Sequence, residues 1–279
     1  MPVRIVTDSS ADLPADDVAE LGVEVVPLSI RFGSQEYTDG VDLSVGEFYD
    51  KLSTSADLPE TAAPAPGAFE AAFRRQAEAG ADAVVCINLS SGLSATIQSA
   101  QNAATAVAGD LDVRVVDSRS ITSGLGTMVR EAARAAADGA GPDEVVALVE
   151  GMVGRTRVFG ALDTLDNLKK GGRIGGAQAL LGSLLSIKPL LDISTGEVAE
   201  AGRARTRRKA LEWLRDQAFA QSGAEHLTVA HGMAPDLGTM LELLAPRYPA
   251  DKIRITTIGP TIGTHGGPRV MGLTWVDPA

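Results

Sequence analysis

The chain has 279 residues, of which 44% are hydrophobic and 22% charged, with a net charge of −11. That length and apolar content suit one large domain or two ordinary ones around a packed core. The acidic balance excludes a net basic nucleic-acid footprint and disfavours adsorption to an anionic membrane, so membrane contact is expected to be transient at most.

Cys86 is the single cysteine, which rules out an internal disulfide or a cysteine metal site. It sits in the apolar run Ala83-Val84-Val85-Cys86-Ile87 and reads as a core thiol. Met1 to Ile5 is too short and mixed for a signal peptide, and no stretch approaches the roughly 20 apolar residues of a membrane span. A cytoplasmic protein is the expectation.

Val3 to Thr7 predicts a buried strand, followed by the turn-rich Thr7-Asp8-Ser9-Ser10-Ala11-Asp12 and a helix over Asp16 to Leu21 closed by Gly22. Val23 to Ile30 reads as one extended run and Glu47 to Ser53 as a short helix. Ser55 to Gly67, rich in proline, glycine and small residues, reads as a loop. Ala68 to Ala79 predicts an amphipathic helix and Ala83 to Asn88 a strand. Ser90 to Ser94 turns into a helix over Ala95 to Ala108, and Val113 to Val116 is a strand before a helix reaching about Asp138. Strand, turn and helix in repetition argue for a parallel sheet covered by helices.

The second half reads differently. After a helix over Asp143 to Arg155 come strands at Val158 to Leu162, Pro189 to Ser194 and Glu197 to Arg203, the last two flanking a hairpin turn. A helix over Arg205 to Gln221 precedes strands at His226 to His231, Ile253 to Ile258 and Met271 to Val276. The domain boundary is placed near residue 155.

In parallel α/β sheets ligands gather beyond the carboxyl ends of the strands. The Ser90 to Thr96 stretch is the most informative turn there, because hydroxyls and free backbone N–H groups at a helix start suit a carboxylate or phosphate. Ordinary helix capping explains the same residues. Gly171-Gly172-Arg173-Ile174-Gly175-Gly176 lacks Walker spacing and follows a helix, so it reads as a connection that holds one arginine. No nucleophile elbow is present, since Gly92-Leu93-Ser94-Ala95-Thr96 has no second glycine. His226 and His231 bracket a strand, whereas His265 lies in a Gly/Pro-rich segment that reads as a loop, where imidazole can donate to an anion near neutral pH. No second ligand stands at metal spacing from it. Arg203-Ala204-Arg205-Thr206-Arg207-Arg208-Lys209 is either a solvated face or a docking patch.

Taken together, several segments resemble the DegV family, whose characterised members act as fatty-acid-binding subunits of a bacterial fatty acid kinase. They are Val6-Thr7-Asp8-Ser9-Ser10-Ala11-Asp12-Leu13, Pro59-Glu60-Thr61, Leu89 to Thr96, Leu168 to Ile174, Ile187-Lys188-Pro189, Arg205-Thr206 and the His265 segment. The resemblance implies an α/β fold of two domains: a small parallel Rossmann-like sheet domain over 1–155 and a mixed six-stranded sheet domain with helices over 156–279. The second would form most of an acyl-chain pocket. The resemblance further implies that Thr61 and Ser94 bind the carboxylate with His265 nearby, and that Arg173 and Arg205 face the head group or the partner. It implies a long-chain fatty acid as ligand, a separate ATP-dependent kinase subunit as partner, and no cofactor, metal or catalytic residue of the chain's own.

Four positions depart from the family pattern. Ala62-Ala63 replace Ser-Gln, Ala95 replaces a glycine, and Arg269 replaces a small residue. Physically, a buried carboxylate needs hydrogen bonds, which two hydroxyls, helix-start amides and His265 would supply. Roughly 14 buried methylenes at ~0.8 kcal/mol each would contribute an upper bound near ~11 kcal/mol. The aliphatic Ala179-Leu180-Leu181, Leu184-Leu185 and Leu190-Leu191 are the expected wall. Two other readings remain open: a regulatory module that binds a phosphate ligand, and a lipid hydrolase using Ser94 and His265.

Overall fold

The computed structural model describes residues 2–55, 57–180, 187–220 and 223–279. The chain begins with β1 (Val3–Asp8), α1 (Ala15–Leu21), β2 (Glu24–Val26), β3 (Ser29–Phe32), β4 (Gln35–Thr38), α2 (Val45–Thr54) and β5 (Glu60–Ala62). It continues through α3 (Pro66–Glu78), β6 (Ala83–Asn88), α4 (Thr96–Val107), β7 (Asp112–Asp117), α5 (Thr122–Ala137) and α6 (Pro142–Val153). The second half holds β8 (Thr156–Ala161), α7 (Asp166–Lys170), β9 (Lys188–Asp192), β10 (Ala199–Ala204), α8 (Arg207–Ala220) and β11 (Glu225–His231). It ends with α9 (Leu237–Leu244), β12 (Arg254–Thr257), α10 (Pro260–Gly266) and β13 (Met271–Val276).

Two domains form around two sheets. The first sheet is parallel, in the order β2-β1-β6-β7. Its centre, β6, is buried at every position, because both faces are covered. Val85 and Ile87 pack with Leu125, Met128 and Val149 of α5 and α6. The alternate residues Val84 and Cys86 pack with Phe69, Phe73 and Val107 of α3 and α4. Cys86 is thus a core thiol, and its titration is pushed upward by burial.

The second sheet runs β10-β9-β8-β13-β11-β12 and is mixed, with β11 and β12 parallel. One face places Leu190, Val229, Leu273 and Trp275 against α8 and α9. Val158, Leu191, Ile193 and Val270 belong to a separate cluster on the opposite side.

A third sheet, β4-β3-β5, was not foreseen in the sequence. Val23 to Ile30 is not one strand. Pro27 and Leu28 separate β2 from β3, and the two pair in different sheets. Ser55 to Gly67 is not loop throughout either, since Glu60–Ala62 pairs with β3 in the register Ile30↔Thr61. The α2 helix, fixed at its start by the Ser44/Glu47 capping box, brings Phe48 and Tyr49 against α10. A β-carbon at Gly263 would lie 2.6 Å from Tyr49 Oη, so only glycine lets the helices approach this closely.

The His265 segment is also a correction. It is helical, with Pro260 at the first position and Thr261, Gly263 and Thr264 buried. Tertiary packing overrides its Gly/Pro content.

Candidate functional site

A cavity of about 200 Å³ opens on the inner face of the second sheet. A single water needs only roughly 10–15 Å³, so the space is built for something larger. Val158, Gly160 and Leu162 of β8 and its continuation line the floor, beside Leu191 and Ile193 and beside Val270, Gly272 and Thr274. Strand pleating accounts for that alternation. The opposite wall is Leu28, Leu89, Leu93 and Ile121, and Ile258 with Ile262 closes one side. The lining is aliphatic apart from a few polar side chains.

Four of those polar side chains are Thr61, Ser94, Arg173 and His265. Thr61 is set by the β3–β5 ladder, and its Oγ1 lies 2.9 Å from His265 Nε2 across 204 residues of sequence. When Nε2 carries the proton, it donates to Thr61 and leaves the threonine hydroxyl hydrogen for a ligand. His265 Nδ1 is buried and has no hydrogen-bond partner among the described residues. A β-carbon at Gly171 would lie 2.3 Å from that nitrogen, so Gly171 makes room for the ring.

Ser94 stands in the turn before α4. Asp8 fixes the base of this turn by accepting from Asn88 Nδ2 at 3.1 Å and from the Leu89 N–H at 2.9 Å. Ser90 Oγ donates to the Gly196 carbonyl at 2.6 Å, which ties the turn to the β9–β10 hairpin of the second domain. Ser94 Oγ accepts from the Thr96 N–H at 3.2 Å and lies 2.9 Å from Thr96 Oγ1. It therefore caps the helix and faces the cavity at once. With Thr96 donating, the Ser94 hydrogen is free to point at an anion.

Arg173 is held in place by backbone oxygens. Its Nε donates to the Leu93 carbonyl at 3.2 Å and its Nη1 to the Gly171 carbonyl at 2.8 Å. The guanidinium thus spans the Ser94 turn and the glycine-rich connection. Burial pushes the His265 imidazole down to about 4, and the Arg173 charge adds to the shift. At neutral pH the ring is a neutral donor or acceptor and brings no positive charge to the site. Arg173 is then the positive charge among the four. Among the described residues no hydrogen bond joins Ser94 to His265, since Ser94 Oγ bonds Thr96 and His265 Nε2 bonds Thr61.

A family model described as "Uncharacterised protein, DegV family" matches residues 2–277. A DegV domain-containing protein of Listeria innocua is 35% identical over 277 residues, covering 98% of both chains. The chain belongs to the DegV family. Among solved structures, a fatty-acid-binding DegV family protein of Thermus thermophilus superposes with a TM-score of 0.91 at 35% identity, each chain fully covered. A stearic-acid-binding protein of Eubacterium ventriosum gives 0.88 at 25% identity, with 99% of this chain and 98% of that chain covered.

In this DegV chain the structure brings Thr61, Ser94, His265 and Arg173 to one cavity, but not Arg205. Arg205, expected at the head group or facing a partner, is exposed on the turn between β10 and α8 and does not line the cavity. The remaining basic run is largely paired. Arg207 holds Asp236 at 2.7 Å, and Arg208 and Lys209 hold Glu212 at 3.1 and 2.8 Å.

The expected aliphatic wall needs revision too. Ala179 is exposed, and Leu190 faces the opposite side of the sheet, packed with Leu211 and Leu214. Among the described side chains of that set, Leu191 alone lines the cavity. Leu181, Leu184, Leu185 and the side chain of Leu180 lie outside the described residues. Sequence reasoning missed Gly160, Gly272, Thr122 and Thr274, which also line the cavity of this DegV protein. A strand glycine that opens a cavity carries the same local signature as one that merely weakens a strand.

Proposed function

We propose that this chain binds a long-chain fatty acid in the cavity and presents its carboxylate to a separate ATP-dependent kinase subunit, which forms the acyl phosphate. The observation that carries this reading is the convergence of Thr61, Ser94, His265 and Arg173 on one aliphatic cavity. A carboxylate there meets two hydroxyls, an imidazole and one guanidinium, which offset the cost of leaving water. The aliphatic lining takes the acyl chain. The fatty-acid-binding proteins of Thermus thermophilus and Eubacterium ventriosum share this fold and support the same ligand class.

Presentation to a partner is supported by exposure. Ala62 and Ala95, beside Thr61 and Ser94, are exposed, so the carboxylate end sits near the surface. Lys169, Lys170 and Arg205 are exposed too, and offer positive charge to an acidic or phosphate-bearing partner.

The test has two steps. Purified protein, denatured and extracted, should release long-chain fatty acid detectable by mass spectrometry. Adding a fatty acid kinase subunit with ATP should then convert the bound acid to acyl phosphate, and neither component should do so alone. Preparations that contain no lipid and take up none when offered it would overturn the binding half. Lipid binding without acyl phosphate formation would overturn the presenting half.

A further inference from the structure

Two threonines in the cavity wall have no use in the carboxylate site. Thr122 is 4% exposed and Thr274 1% exposed, and both line the cavity. Among the described residues the buried Thr274 hydroxyl has no hydrogen-bond partner, and the buried Thr122 hydroxyl has only the Asp12 carboxyl beside it. A buried hydroxyl with nothing to bond is costly, and in an aliphatic wall valine has the same shape without that cost.

Their position is informative. Val270 packs against Gly266, next to His265, and so marks the carboxylate end of the floor. Thr274 lies four residues further along, within β13, which Val270 immediately precedes, roughly 13 Å away at about 3.3 Å per residue. Directly opposite Thr274 in the ladder is Val158. The Val158 side chain packs against the first turn of α5, where a β-carbon at Gly124 would lie 2.9 Å from its Cγ2. Thr122 begins that turn. The two hydroxyls therefore flank one stretch of cavity, remote from the carboxylate.

Thr122 is also held at φ 46, a left-handed conformation that β-branched residues rarely adopt. Behind it lies the buried Asp12 carboxyl, whose Oδ1 accepts from the Gly259 N–H at 2.9 Å and whose Oδ2 is beside the Thr122 hydroxyl. A protonated Asp12 donates from Oδ2 to Thr122, which leaves the threonine hydrogen to point into the cavity.

We infer that the cavity is built for an acyl chain that carries a hydroxyl group remote from its carboxyl, with Thr122 donating to that oxygen and Thr274 accepting its hydrogen. The inference rests on the fatty-acid reading above and narrows it to a substrate class. An unsubstituted chain would leave the Thr274 hydroxyl and the Thr122 hydrogen unused. A hydroxylated chain satisfies them and is itself satisfied.

The test uses delipidated full-length protein and displacement of a fluorescent fatty acid by stearic acid and by hydroxystearic acids with the hydroxyl at successive positions. At least one isomer should bind about tenfold more tightly than stearic acid, the effect of roughly one net buried hydrogen bond. That preference should disappear in Thr274→Val, which must still bind stearic acid and so reports its own folding. Thr122→Ser should keep the preference and Thr122→Val should lose it. If every isomer binds more weakly than stearic acid, or if the preference survives both valine substitutions, the inference is overturned while the fatty-acid reading stands. If neither stearic acid nor any isomer displaces the probe, both fall.

Discussion

Gly160 of β8 and Gly272 of β13 are paired directly across the six-stranded sheet, with Leu191 of β9 next in the same row. All three line the cavity. A β-carbon at Gly160 would come no closer than 3.6 Å to Leu162, and one at Gly272 no closer than 3.5 Å to the Ala230 and Phe159 carbonyls. Those are ordinary contacts, so the backbone does not demand glycine at either position. What glycine provides is a furrow across the floor. Gly272→Val should fold with an unchanged or higher Tm, because a β-branched residue suits a strand better than glycine does. Its side chain should block the furrow, so that extracted lipid is shorter or absent. Mass spectrometry of bound lipid beside a melting curve checks both halves. Wild-type lipid in the variant would show that the acyl chain does not cross this furrow.

The carboxylate assignment predicts a loss that is additive in binding and small in stability. In Thr61→Ala with Ser94→Ala, each lost charged hydrogen bond should weaken fatty acid binding by about 1.5–3 kcal/mol. Ser94 Oγ also caps the Thr96 N–H, so helix α4 should lose about 1 kcal/mol at the same time. Calorimetric titration with stearic acid and a denaturant curve separate the two effects. Unchanged affinity would remove Thr61 and Ser94 from the site.

These residues differ in how visible they are in the sequence. The Ser94 turn is legible because it joins a wholly apolar strand, Ala83–Asn88, to a helix, and the strand is buried on both faces as such runs predict. Thr61 is not legible from spacing. Its strand is three residues long, Glu60–Ala62, and exists only because β3 pairs with it. The family resemblance alone joined Thr61 to Ser94. His265 was read into a loop because glycine and proline dominate its segment, yet packing against Tyr49 and Phe48 makes that segment a helix. The floor of the cavity depends on which strands become neighbours, and no local pattern around Gly160 encodes its partner Gly272.

Arg173 and His265 should be coupled through charge. Burial is the main cause of the depressed His265 titration and the Arg173 guanidinium the second. Arg173→Met removes the second cause and keeps much of the volume. The His265 midpoint should then rise from about 4 yet remain below the ordinary 6.5, because burial persists. An NMR titration of the histidine side chains measures this directly. The same substitution should weaken fatty acid binding, since it removes the positive charge among the four head-group residues. A midpoint that stays put would show that the guanidinium does not act on the ring.

A last prediction concerns stability against pH. Burial pushes the Asp12 carboxyl from 3.8 up to about 8, and the nearby Asp39 and Asp8 charges add to the shift. Between those values the folded chain keeps a proton that the unfolded chain releases, so stability falls as pH rises through the window. His265 acts in the opposite sense between about 4 and 6.5, where the unfolded chain holds the extra proton. From pH 6.5 to 8 that opposition is gone. Asp12 alone should then cost about 1.4 kcal/mol of stability per pH unit. Asp8 and Asp39 are raised by burial as well, and each acts in that direction between its ordinary and its raised value. Asp12→Asn keeps an oxygen for the Gly259 N–H, which Asp12 Oδ1 accepts at 2.9 Å, and asparagine tolerates the φ of 49 at this position. The variant should therefore fold and lose about one proton's worth of slope. Urea midpoints at pH 6.5 and 8 should lie closer together in the variant than in the wild type. Equal spacing in the two proteins would show that Asp12 is ionised in the folded chain throughout.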